Sequence, residues 1–378
     1  MEPTARLEVA ADQHHRYAVE IRSGLLRELP EQLALRFPGA RLALISDSGV
    51  APLYAQPLLA ALHARGQLAS LHVVAAGEAS KSVEQWQRLV GQLHAAGLDR
   101  RGVVVNVGGG VACDLGGMVA ATYMRGIAYA NVPTTLLAQH DAAIGGKVAV
   151  NAPWAKNFLG AFHQPRHVWI DPETLRTLDR RQLAAGLAES IKVAMIGEPE
   201  LLSLLERDAR HLLARDSVRL GEVVGRSAAK KIELLAGDPF EHDLRRPLNL
   251  GHTFGHALET ELEYEGLLHG EAVAWGLVVA LEIACARGLC PAADRDRIVA
   301  LLARCELPPP VAAERLHAAL GRLAAIRLVR GNRLHYVLPT SATSVTIDEV
   351  ASDELQAAVA AAIAQPLLRP RASAAHAG

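Results

Sequence analysis

GVVVNVGGGVACD, residues 102–114, carries the sharpest structural signal in this 378-residue chain. A run of valines broken once by Asn106 ends in Gly108, Gly109 and Gly110. It reads as a buried strand that turns directly into a helix, with every Cβ removed at the turn. Bare backbone N–H groups at a helix start, and room for close approach, suit a pyrophosphate. The spacing is not G-x-G-x-x-G, so a tight packed turn explains the glycines equally well when they are taken alone. Asp47, ending the run RLALISD (41–47), could bond a ribose hydroxyl or serve as a cap.

Working outward, further short apolar runs are RYAVEI (16–21), SLHVVAAG (70–77), IAYANVP (127–133) and HVWID (167–171), each bounded by Gly, Pro, Asp or a charged residue. Between the early ones lie amphipathic stretches at 51–66 and 82–97, each closed by Gly. Strand–helix alternation implies right-handed crossovers and a mostly parallel sheet. From about residue 180 the period changes to 3.6, through RQLAAGLAESIKVAMI (181–196) and GEAVAWGLVVALEIACARG (270–288). A late hairpin is expected over 326–340, turning at Gly331 and Asn332. The expected organisation is an α/β domain over 1–180, a mainly helical domain over 181–365 and a disordered tail over 366–378, with the ligand cleft between the domains.

Composition narrows the function. With 39 Lys+Arg against 40 Asp+Glu the net charge is −1, which excludes the basic face of a nucleic-acid binder and a polybasic membrane anchor. No apolar run approaches the roughly 20 residues of a spanning helix, and no secretory signal is visible, so a cytoplasmic enzyme is expected. Cys113, Cys285, Cys290 and Cys305 lack C-x-x-C spacing and read as small buried hydrophobes.

Three clusters could carry chemistry. In NLGHTFGHALE (249–259) His252 and His256 share a helical face, and His269 opens the next helix. Glu189 and Lys192 in GLAESIKVA (186–194) lie on an otherwise apolar helix, where charge is costly unless paired or ligated. A Glu with two or three His from separate segments is the donor set of a catalytic zinc site with an open position. The segment 125–157 adds Arg125, Asp141, Lys147, Asn151, Lys156 and Asn157 beside Gly145 and Gly146, a pattern that suits phosphate but also a solvated loop. Lys231 and Arg245 add two cations upstream of the histidines.

Taken in order, GEASKS (77–82), GGGVACDLGGMVAATYMRG (108–126), VPTTLLAQHDAAIGGK (132–147), KNFLGAFHQP (156–165), GLAESIK (186–192), NLGHTFGHALE (249–259) and LHGEAVA (268–274) resemble the 3-dehydroquinate synthase family, within the sugar phosphate cyclases. The resemblance implies an α/β Rossmann-like N-terminal domain, a mainly α-helical C-terminal domain, and a homodimer using NAD with Zn2+ or Co2+. It implies conversion of 3-deoxy-D-arabino-heptulosonate 7-phosphate to 3-dehydroquinate and phosphate, by transient oxidation, elimination, re-reduction and aldol closure. Carried over by motif, Glu189, His252 and His269 would hold the metal, with His256 on the substrate phosphate instead. NAD would meet Asp47, Glu78, Lys81, Gly109, Gly110, Asp114, Thr134, Thr135, Leu137, Lys156, Thr177 and Leu178. The substrate, a small phosphorylated sugar acid, would meet Asp141, Lys147, Asn157, Lys192, Lys231, Arg245, Asn249 and His256, with Arg125 reaching across from the second subunit.

The chain departs from the family pattern twice. Val148 and Ala149 stand in GGKVAVN (145–151) where Thr and Gly are usual, and Ile326-Arg327-Leu328 replaces an Asp-Lys-Lys, one lysine of which binds phosphate in the family. Two alternatives follow: a secondary-metabolism cyclase (aminodehydroquinate, 2-epi-5-epi-valiolone or 2-deoxy-scyllo-inosose type), and, more distantly, an iron-containing alcohol dehydrogenase. Lys231, Arg245, Asn249 and His256 are all present, and a two-cation carboxylate clamp favours the sugar-acid substrate.

Overall fold

The computed structural model describes residues 15–243, 245–263, 266–329 and 334–368. Six strands form one all-parallel sheet: β1 (Ala18–Ile21), β2 (Leu42–Asp47), β3 (Ala69–Val74), β4 (Val103–Gly108), β5 (Ala128–Pro133) and, after a separate hairpin, β8 (His167–Ile170). The spatial order is β1-β8-β5-β4-β2-β3. From β2 the chain runs outward to β3 and then returns to the other side as β4, so the switch point lies between β2 and β4. A ligand crevice is expected outside the carboxyl ends of those two strands. The ends of neighbouring strands are level there: Ser46 of β2 is opposite Val107 of β4, and Gly108 of β4 is opposite Pro133 of β5.

Both faces of the sheet are covered, which is why its strands are continuous apolar runs rather than alternating ones. On one face α1 (Leu29–Arg36) and α2 (Gln56–Ala64) enclose a core around Leu44, Val105 and Trp169. On the other, α3 (Val83–Ala95) and α4 (Gly110–Thr122) pack over Ile45, Val104 and Tyr129. The Ser82 side chain caps α3 by accepting from the Gln85 amide.

The segment 147–162 is a hairpin, β6 (Lys147–Ala152) with β7 (Ala155–Phe162), where the cation content reads as a loop. Its alternation explains Val148: Lys147 faces out, while Val148 is buried against Gly117 of α4. That departure from the family pattern therefore lies in the packing between hairpin and helix.

The helical half comprises α5 (Arg180–Gly197), α6 (Pro199–Leu213), α7 (Ser217–Leu235), α8 (His252–Glu261), α9 (His269–Ala286), α10 (Ala292–Arg304), α11 (Ala313–Val329) and α12 (Ser352–Ala364). Asp179 caps α5 through the Arg181 and Gln182 amides. Among the described residues α9 alone is long and apolar enough to cross a membrane, and 83% of it is buried among its neighbours as a core helix. The late hairpin lies further on than expected, as β9 (His335–Ser341) with β10 (Ser344–Glu349). Ile326–Val329 belongs to α11 instead, because Leu316, Ala319 and Leu323 are buried at helical spacing and carry the helix past 326. Gly331 and Asn332 lie outside the described residues, as does 369–378 of the expected tail; Pro366–Leu368 forms a 3-10 turn.

Candidate active site

Two close backbone crossings assemble the helical side of the site. A Cβ on Gly270 would lie 1.9 Å from the Ala185 carbonyl oxygen, so α9 meets α5 backbone to backbone one residue after His269. A Cβ on Gly276 would lie 1.8 Å from the Gly251 oxygen, and Gly251, at φ +76°, turns the chain into α8 directly before His252. These contacts bring Glu189 of α5, His252 of α8 and His269 of α9 to one point. His252 Nε2 and His269 Nε2 each lie 3.5 Å from Glu189 Oε1. Donors on a tetrahedral ion with bonds of about 2.0–2.1 Å stand roughly 3.3 Å apart, so little movement separates this triad from a metal site.

The second layer agrees with that reading. His252 Nδ1 is bonded to the Leu250 carbonyl at 3.1 Å and His269 Nδ1 to Glu259 Oε2 at 3.2 Å, leaving each Nε2 directed at Glu189. Lys192 Nζ is 2.5 Å from Glu189 Oε2, off the hydrogen-bonding direction, and both buried oxygens of Glu189 lack a hydrogen bond. Buried carboxylate oxygens left in that state suit a cation. Burial, then the Lys192 charge, pushes His252 down to about 3, so its imidazole is neutral and can ligate. Burial opposes a charge on His269, but Glu259 and Glu189 outweigh it and take this group up to about 10. Positive charge is thus favoured at the centre, and a divalent ion would displace that proton. His256 is also near: the ligand atoms of His252, His256 and His269 lie within 4.8 Å of one another. Glu189 lies against two of these three, so both a Glu-His-His and an all-histidine set are within reach.

The substrate-side cations have separate partners. Lys231 is buried, donating to the carbonyls of Asp141 (2.6 Å) and Ile144 (2.9 Å) and pairing with the Asp141 carboxylate. Burial works against the Asp141 charge, but Lys231 and Lys192 hold its carboxyl well below the usual range. Arg245 is 63% exposed and pairs with Asp243 at 3.1 Å, so each half of the expected two-cation clamp has its own carboxylate. Lys147 Nζ meets Glu241 Oε1 at 2.7 Å, and Glu241 also pairs with the half-buried Arg246. Asn249 closes the 3-10 turn Pro247–Asn249 just ahead of His252. The side chain of Arg327 lies outside the described ones.

At the carboxyl end of the sheet, a Cβ on Gly109 would lie 2.9 Å from Thr135 Cγ2, and Gly110 opens α4. Asp47 serves as a cap, Oδ1 accepting from the Gly49 and Val50 amides, while Oδ2 stands beside Gly108. Thr134 Oγ1 is buried without a partner, another polar atom suited to a ligand. Leu137 leads into the turn Ala138–Ala142; Thr177 Oγ1 bonds the Tyr54 hydroxyl at 2.6 Å, and the Leu178 carbonyl accepts from Arg215. Lys81 is buried between Asp114 (2.8 Å) and Glu78 (3.4 Å). Asn151, one residue type noted within 125–157, donates to Glu78 and accepts from the Asn157 amide.

An ion chain joins the two sides. Lys156 lies 3.9 Å from Glu78 and 3.0 Å from Glu259, and Glu259 holds His269. Glu259 and Glu241 escape the motif reading. Glu259 had a signal, being seven residues after His252 and three after His256 on one helical face; Glu241 had only its place among cations.

An all-parallel sheet with a glycine turn at its switch point, facing a carboxylate–histidine centre on a helical half, has the dehydroquinate synthase-like architecture. The profile for 3-dehydroquinate synthase N-terminal matches residues 71–185 and that for 3-dehydroquinate synthase C-terminal matches residues 186–325. The chain belongs to the 3-dehydroquinate synthase family and is a sugar phosphate cyclase. A 2-epi-valiolone synthase of Actinosynnema mirum is 46% identical over 334 residues, 87% of each chain. A 3-dehydroquinate synthase of Pelobacter propionicus is 45% identical over 296 residues, 78% of this chain and 82% of that one. Among solved structures, 2-epi-5-epi-valiolone synthase of Streptomyces hygroscopicus with NAD+ and Zn2+ bound superposes with a TM-score of 0.87 at 32% identity, covering 94% of this chain and 99% of that chain.

Proposed function

We propose that the protein converts a seven-carbon ketose 7-phosphate into a carbocycle with release of phosphate, using NAD and a divalent metal ion, zinc or cobalt. The observation that carries this is buried Glu189, whose Oε1 lies without a hydrogen bond 3.5 Å from each of two imidazoles pre-aimed by Leu250 and Glu259, while Oε2 is ion-paired with Lys192. When bound, NAD takes and returns a hydride and the metal polarises the oxygen involved, so that phosphate can leave and an aldol addition can close the ring. Glu189, His252 and His269 would hold the ion, and Gly109, Gly110, Thr134 and Lys81 would cradle the dinucleotide. Lys147, Asn249 and His256 orient and neutralise the phosphate, for which Glu241 must yield Lys147. Lys192, Asp141 and Asn157 position substrate hydroxyls. Arg125, exposed at φ +68°, would serve the partner's site in a homodimer, as the family resemblance implies.

For the acid carried by the substrate, the first reading is 3-dehydroquinate synthase activity on 3-deoxy-D-arabino-heptulosonate 7-phosphate, supported by the retention of Lys231, Arg245, Asn249 and His256. A second reading, valiolone-type closure of sedoheptulose 7-phosphate, is favoured by the engagement of Arg245 with Asp243 and by the Actinosynnema relative. Phosphate release from both substrates, with wild type and Arg245→Ala, separates them. A carboxylate substrate should lose more transition-state binding than a neutral one when Arg245 is removed, by about 1 kcal/mol or more if binding buries the now exposed guanidinium. Equal small losses on both substrates would support the neutral heptulose.

A further inference from the structure

We propose that His140 is a positioning residue for the metal carboxylate: its ring, held by Ser190 and the Gly186 carbonyl, sets the turn of α5 that presents Glu189. The inference rests on the reading of Glu189 as a metal ligand. His140 is 1% exposed and Ser190 fully buried. His140 Nε2 lies 3.2 Å from Ser190 Oγ and 3.3 Å from the Gly186 oxygen. Residues 186 and 190 are one helical turn apart, so a single imidazole nitrogen touches both ends of the turn that carries Glu189. Its sequence neighbour, Asp141, pairs with Lys231. The ring therefore pins the turn Ala138–Ala142 of the α/β half to α5, and fixes the two functional carboxylates relative to each other.

The approach is built in. A Cβ on Gly186 would stand 2.8 Å from Leu136 Cβ, so only glycine lets the two elements come this close. The surroundings argue against mere filling: Leu136, Leu187 and Ile191 belong to the apolar core, and His140 Nδ1 is buried without a partner. An apolar side chain of similar volume would avoid that desolvation cost. What such a side chain could not do is hold Ser190 and Gly186, and outer-shell groups of this kind change metal affinity by about 10- to 100-fold.

The test measures cobalt(II) binding to the full-length protein, by competition with a chelator and by the visible absorption of the bound ion. His140→Val is expected to bind cobalt about 10- to 100-fold more weakly, with a displaced absorption band. His140→Gln, whose amide can reach the same two partners, restores most of the affinity. Ser190→Ala gives a smaller loss that adds nothing in the His140→Val background, as expected for one coupled pair. A purely structural role would lower the melting temperature and leave the cobalt spectrum unchanged. A His140→Val protein with wild-type affinity and spectrum overturns the proposal. Should that variant not fold, wild-type affinity and spectrum in Ser190→Ala overturn it equally. Failure of the wild type itself to bind cobalt would bring down the metal-site reading, and the positioning role with it.

Discussion

At the scale of single residues, the site is a set of charges that already answer one another. Glu241 is the clearest instance: its carboxylate lies between Lys147 and Arg246, at φ +57°, where an anionic group of the substrate would be met. A left-handed backbone at a non-glycine residue costs on the order of 1–3 kcal/mol and persists where surroundings impose it. Glu241→Gln should therefore release Lys147 and tighten inhibition by inorganic phosphate several-fold, measured against the phosphorylated substrate. Unchanged or weaker phosphate inhibition would show that Glu241 organises the pocket instead of occupying it. A candidate metal centre was legible because charge on an apolar helix needs a partner or a ligand, but which of His252, His256 and His269 would join Glu189 came only from the family resemblance. The pairings of Lys147 with Glu241 and of Arg245 with Asp243 were not, because which carboxylate a surface cation meets depends on a loop path that no local pattern specifies.

At the scale of elements, the helices are held by glycine crossings and by a few bidentate pairs. Gly270→Ala places a Cβ against the Ala185 carbonyl and must push α9 from α5. Overpacking of this kind costs about 1–3 kcal/mol, and more where backbone must move. The expected result is a lower melting temperature together with loss of bound metal; intact metal content in a destabilised protein would uncouple the crossing from the site. Arg287 at the end of α9 holds Glu354 of α12 at 2.6 Å, and this hydrogen bond, with the Ala351 amide, takes the carboxyl down to about 2. A depressed carboxyl binds fewer protons folded than unfolded, so its contribution is present above the ordinary value near 4.5 and is lost as pH falls toward 2. Glu354→Gln should lower stability slightly at pH 7, since the pair is still partly open to solvent, and flatten the acid limb between those values. Denaturant midpoints across pH 2–7 check the slope; an acid limb identical to wild type would contradict it. The parallel strands and the main helices followed from apolar runs, glycine stops and period. The hairpin β6–β7 was hidden by lysines and asparagines whose reason is the site. The switch from α11 to β9 was misplaced because Ile326, Leu328 and Val329 suit either state, and the helix register decided it.

At the scale of the molecule, the glycine turn and the metal centre are joined by one ion chain, Asp114–Lys81–Glu78–Lys156–Glu259–His269, which runs across both halves. The near-zero net charge conceals this, because each buried cation stands beside its own carboxylate. Under the proposed function such a chain would hold a nucleotide and a metal ion at one substrate, as a reaction needs when hydride leaves and returns at the same place. The direct test follows phosphate release and absorbance at 340 nm together, with catalytic NAD, cobalt or zinc, and either heptulosonate or sedoheptulose 7-phosphate. The account predicts many phosphates released per NAD on one of these substrates, with no lasting gain at 340 nm. Phosphate retention on both, or NADH accumulating with product, would contradict it.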